Sequence, residues 1–110
     1  MTSRHIALCS WSLQPNTPQE LVASTLKCGL NAVQLALVPV VQEELWKHAS
    51  EVLQKSEILV LSGMLDTVGE DYSSLESIAR TGGIRPDETW NANLEIAMKV
   101  AGVASEMELE

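Results

Sequence analysis

The sequence has 110 residues, with 15 Asp and Glu against 7 Lys and Arg, and a formal net charge of -8. Gripping nucleic-acid phosphates or an anionic membrane takes clustered basic residues, and here they are scattered among acids, so neither partner is expected. At 45% hydrophobic and 20% charged residues, the composition lies far from that of disordered chains and predicts a folded unit.

Phe is absent and the aromatics are Trp11, Trp46, Trp90 and Tyr72, so burial falls to aliphatic side chains, which suit parallel strands covered by helices. Ile6-Ala7-Leu8-Cys9-Ser10-Trp11 predicts a first strand that stops at the polar, proline-marked stretch Ser12 to Asn16. Thr17-Pro18-Gln19-Glu20 then supplies a capping hydroxyl, a proline at the first helical position and a glutamate three residues after the cap, opening a helix that Gly29 ends. Asn31 to Leu37 alternates large apolar residues with Ala, Gln and Ala, predicting a second strand with two unlike faces. After Pro39, Gln42-Glu43-Glu44 predicts a second helix whose apolar stripe is Leu45, Ala49, Val52 and Leu53. Ile58 to Leu61 predicts a third strand running into Ser62-Gly63-Met64. A long loop, 64–86, contains the capping signal Ser73-Ser74-Leu75-Glu76 and hence a short helix. From Asp87 a third helix carries Trp90, Leu94, Ala97, Met98 and Ala101 at helical spacing.

Cys9 and Cys28 form no CxxC motif and have no histidine at zinc spacing, which predicts reduced thiols and a cytoplasmic chain. No secretory signal precedes the first strand, and no stretch approaches the roughly 18 apolar residues of a membrane span.

The strands begin near Ile6, Ala32 and Ile58, a 26-residue period. That is close to the period of a (β/α) array of roughly 250 residues in eight units. The fold expected for residues 1–110 is therefore α/β, a single parallel (β/α)3 unit. Such a unit belongs equally to a partial TIM barrel or a small open sheet, because both obey the right-handed crossover.

Leu8-Cys9-Ser10-Trp11-Ser12-Leu13, Thr17-Pro18-Gln19-Glu20-Leu21 and Gly29-Leu30-Asn31-Ala32-Val33-Gln34-Leu35 together resemble the opening of the sugar phosphate isomerase/epimerase family, the xylose-isomerase-like TIM barrels. Trp90-Asn91-Ala92-Asn93-Leu94, opening the third helix, extends the likeness over essentially the whole chain. The resemblance implies a partial TIM barrel, the N-terminal part of an isomerase or epimerase acting on a sugar or sugar phosphate. It also implies a divalent metal in the full-length family, held mainly at later strands; no ligand for it is identified in this chain. Gln34 stands where the family has an acid, so any charged role there is reduced to a hydrogen bond with a sugar hydroxyl.

By the same resemblance Trp11, Gln34 and Ser62 are substrate-binding candidates, and no residue is a catalytic candidate. Each has a plainer reading as well. Trp11 is equally a core or interface tryptophan, Gln34 equally a member of a structural hydrogen-bond network, and Ser62-Gly63 equally a strand-to-loop turn. Ser10 and Ser12 can meet ligand hydroxyls or simply pack as small residues. Asp66, Glu70 and Asp71 lack the ligand spacing of a calcium loop and read as a solvated acidic loop. Cys9 has no histidine placed to activate it, and His5 and His48 read as surface residues. The turn after the first strand has no glycines to cradle a phosphate, which excludes the dinucleotide and P-loop fingerprints. A receiver domain is also excluded, since Ser62 stands where its phosphoaccepting aspartate would. The leading expectation is an N-terminal barrel portion that shapes a sugar pocket and is inactive alone. A non-catalytic α/β module that self-associates through open strand edges is the alternative, and a sugar-binding remnant without chemistry is a third reading.

Overall fold

The computed structural model describes residues 4–109. It is a mixed α/β fold: one three-stranded parallel sheet, ordered β1-β2-β3 (Leu8–Cys9, Ala32–Ala36, Leu59–Met64), with helices between and after the strands. The helices are α1 (Ser10–Leu13), α2 (Pro18–Lys27), α3 (Val38–Gln42), α4 (Ala49–Lys55), α5 (Leu75–Thr81) and α6 (Trp90–Glu106), with 3-10 turns at Glu44–Trp46 and Asp87–Thr89. Among the described residues no helix is long and apolar enough to cross a membrane.

The two faces of β2 fix the layering. Val33 and Leu35 have no exposed surface, and with Leu37 they share one cluster with Leu21 of α2, Ala49 and Leu53 of α4, and Val100 of α6. The two crossover helices, α2 and α4, and the helix after the last strand, α6, therefore lie on the Val33/Leu35 side, as right-handed crossovers repeated in one direction require. The alternation of a strand sends Ala32, Gln34 and Ala36 to the opposite side.

Gly63 completes the packing on the helix side. A Cβ built there would overlap Leu37 Cδ1 and lie 3.5 Å from Leu109 Cδ1, so the hydrogen in place of a side chain is what lets the Leu37 chain seat. The close approach that glycine permits is made by the core and not by a ligand.

Three helices stop in the same way. Gly29, Glu57 and Glu108 take left-handed backbones with φ of 76°, 58° and 58°, and the next residue sends its N–H back five positions. These bonds are Leu30 N to Thr25 O at 3.2 Å, Ile58 N to Leu53 O at 2.9 Å and Leu109 N to Ala104 O at 2.9 Å. This is the Schellman ending, in which the apolar residue after the left-handed one folds back on the helix. Twice it delivers the chain into the next strand.

Three sequence expectations change. The first strand shrinks to Leu8–Cys9, because Ile6 is uncovered at 73% exposure and Ser10 to Leu13 coil into a helical turn closed by Gln14 at φ 47°. The second helix is broken: Glu43 is extended, so Trp46 is buried in the core while Leu45 is 68% exposed. The expected stripe on α6 faces water, since Trp90, Leu94 and Met98 are exposed and the buried side carries Asn93 and Val100 with Ile96, Val103 and Ala104 against the core. Asn93 turns inward because its Oδ1 accepts the Val68 N–H at 2.8 Å, giving the long loop a partner that an aliphatic side chain would not.

Substituting Gly63 by Ala forces Leu37, which is 2% exposed, out of its seat. Urea denaturation should show a loss of about 1–3 kcal/mol for Gly63→Ala. Gly102→Ala, in open space on α6, should gain up to about 1 kcal/mol in the same measurement.

Candidate functional site

In parallel α/β sheets, ligands gather at the carboxyl ends of the strands, because the loops there are free to vary while the strands hold them in place. At that end β1 passes directly into α1. Ser10, buried at the junction, accepts a hydrogen bond from the Ala36 N–H at 2.9 Å and so extends the two-residue pairing of β1 with β2. Trp11, one residue on, stands 48% exposed. Trp46 closes the opposite wall: its indole N–H donates to the Asn16 carbonyl at 3.1 Å, which fastens the loop between α1 and α2. Ser10, Trp11, Gln14, Pro15, Ala36, Pro39 and Trp46 line an open cavity of about 190 Å³.

Gln34 and Ser62 sit deeper on the sheet. Cys9, Gln34 and Ser62 are register partners across the three strands and share the face turned away from the helices. Ser62 reaches this register only because Leu61 is inserted as a bulge between the Val33–Val60 and Gln34–Ser62 pairs. Cys9 Sγ and Met64 Sδ meet across the middle strand at 3.6 Å. Gln34 and Ser62 are half-buried and adjacent, but neither lines the cavity that Trp11 walls. The structure thus brings two of the three candidates together and places the third, Trp11, at the neighbouring cavity with Ser10.

Sequence reasoning missed Trp46, Pro15 and Pro39 as cavity walls. The signal available was Trp46 itself, a large residue in a chain without Phe. It also missed Asn93, a buried amide inside an apolar helical pattern.

Among the described residues no three of His, Cys, Asp and Glu come together in a way that could hold a metal ion. The donor set at the face is an amide, a hydroxyl, a thiol and a thioether, and the carboxylate that a hard divalent cation favours is absent from it. These residues do not fit the metal that the family resemblance implies. His5, His48 and Cys28 are exposed. In the acidic loop, hydrogen bonds from Ser73 hold the Asp71 carboxyl below its usual range, and Glu70 accepts from Thr67 and Tyr72, so these acids are occupied in shaping the loop.

A larger hollow, about 350 Å³, lies at the other end of the sheet and includes Glu57, Glu106 and Glu108. It contains none of the candidates. Its acids cluster at the C-terminal ends of α4 and α6, where the helix dipoles are of their own sign.

No protein-family model, no curated protein and no solved structure matches this chain.

Removing the Ser10 hydroxyl leaves the buried Ala36 N–H without the partner it has here. Ser10→Ala should cost about 1–3 kcal/mol in a denaturant melt. Ser12→Ala, exposed on the same turn, should change stability by less than about 0.5 kcal/mol.

Proposed function

We propose that this chain forms the first three β/α units of a sugar isomerase- or epimerase-like TIM barrel and supplies part of the wall of its substrate pocket. The observation that carries the reading is Trp11, half exposed over a preformed cavity at the carboxyl end of the sheet. An exposed indole offers an apolar plane to the C–H face of a sugar ring, while nearby amides and hydroxyls meet its hydroxyl groups. Support for the barrel comes from strand order that follows chain order, from α2, α4 and α6 packing on one face, and from the third Schellman ending at Glu108. Gln34 and Ser62, on the other face, stand where a closed barrel has its interior.

In a complete enzyme of this kind the reaction is proton transfer next to a carbonyl. Gln34 can donate and accept hydrogen bonds but cannot carry a proton between substrate carbons, and the residues here do not fit a metal. This chain's part is to bind and orient, and it is proposed to have no turnover alone.

A second reading, the self-associating module, is favoured by one observation. Leu59 and Leu61 on β3 are 45% and 41% exposed, and Trp90, Leu94 and Met98 line the free side of α6.

The three tryptophan indoles give three signals in a proton–nitrogen correlation spectrum. Titration with D-fructose should shift the Trp11 and Trp46 indoles, which line the cavity, in a saturable way and leave that of Trp90 in place, and in Trp11→Ala the Trp46 indole should no longer show a saturable shift. Shifts that do not saturate, or a Trp46 shift that is the same in Trp11→Ala, would refute the pocket. Light scattering on the same sample reads the rival: a native mass at least twice that of the monomer supports the module.

A further inference from the structure

Among the described residues, three other than glycine take left-handed backbones: Gln14, Glu57 and Glu108. Glu57 and Glu108 are held there by the residue that follows, whose N–H bonds back to the helix. Gln14 has no such support. The next residue is Pro15, which has no N–H to send back, and a residue before proline is pushed toward extended backbone. Gln14 nevertheless sits at φ 47° and ψ 50°, with its own N–H reaching the Trp11 carbonyl at a long 3.3 Å. A side chain costs more in this conformation than glycine would, and costs of this kind gather at ligand sites.

Gln14 lines the open cavity beside Trp11. Two other polar side chains of that lining are engaged with the protein: the Ser10 hydroxyl accepts the Ala36 N–H, and the Trp46 indole N–H donates to the Asn16 carbonyl. Gln14 is exposed and carries the one side-chain amide among the seven lining residues. An amide offers a carbonyl acceptor and two N–H donors, so it can accept from one hydroxyl of a vicinal pair and donate to its neighbour while the ring rests on the Trp11 indole.

We infer that Gln14 is a ligand-binding residue of this cavity, and that its left-handed backbone is retained because it holds the amide where neighbouring hydroxyls of the bound sugar are met. The inference rests on the sugar-pocket reading above and gives it a hydrogen-bonding residue besides Gln34 and Ser62, neither of which lines the cavity. Stability and binding therefore part at this position. Glycine relieves the backbone and loses the amide, whereas alanine loses the amide and leaves the backbone as it is.

The test pairs urea denaturation with a D-fructose titration of the full chain, read at the Trp11 and Trp46 indoles. Gln14→Gly should unfold at a urea concentration no lower than the parent chain while binding D-fructose at least fivefold more weakly. Gln14→Ala should also lose at least fivefold in affinity. Gln14→Asn keeps an amide and tolerates the left-handed backbone, so it should bind more tightly than Gln14→Ala. Unchanged affinity in Gln14→Gly and Gln14→Ala would overturn the inference and leave the pocket standing. A loss confined to Gln14→Gly would overturn it too, because loop stiffness and not the amide would then matter. A urea midpoint that falls in step with affinity in both variants would make Gln14 a structural residue and overturn its role in binding. No saturable binding by the parent chain would overturn the pocket, and the inference would fall with it.

Discussion

The middle strand is the one element of the sheet paired on both sides, and its two faces are unlike. Val33 and Leu35 are fully buried against α2, α4 and α6, whereas Gln34 faces the other way and is only half-buried. A one-residue slip of register would reverse this, burying the amide under aliphatic helices and exposing Val33 and Leu35. The one-sided helix layer, the direction of every crossover and the placement of Trp11 all follow from that alternation.

What secures the layer is the manner in which helices end and strands begin. Each Schellman ending turns an apolar residue back on its helix, Ile58 buried and Leu30 and Leu109 half-buried. Glu57 and Glu108 accept left-handed backbones that a glycine adopts more easily, so the geometry is imposed by the apolar residue that follows. Gly63 serves the same junction from the strand side by leaving room for Leu37. On the opposite face the small residues Ala32 and Ala36 are buried while Gln34 is half-buried, and Cys9 meets Met64, the register partner of Ala36.

Much of this was legible in the residues. The cap of Thr17 on the Glu20 N–H, the stop at Gly29, the alternation of Asn31 to Leu37, and a capped short helix at Ser73 to Glu76, whose cap is Ser74, each depend on neighbours in sequence, and each appears in the structure. What was not legible depends on partners far along the chain. The helical turn at Ser10 to Leu13 is tied to Ala36, the break before Trp46 to the carbonyl of Asn16, and the rotation of α6 to the loop at Val68. The helical period of α6 is present in its residues, but periodicity cannot say that an asparagine will be inside and a tryptophan outside. The candidate site divides along the same line: Gln34 and Ser62 lie together because strand register joins them, and the wall facing Trp11 comes from a residue 35 positions away.

Because the middle strand carries the layering, its amides should open only when the whole molecule does. Native-state hydrogen exchange measures this directly. The N–H groups of Val33 to Leu35 should exchange at least about tenfold more slowly than those of residues 65–74 and with the free energy of global unfolding. Exchange of the middle strand at the rate of that loop would contradict a fold organised around β2.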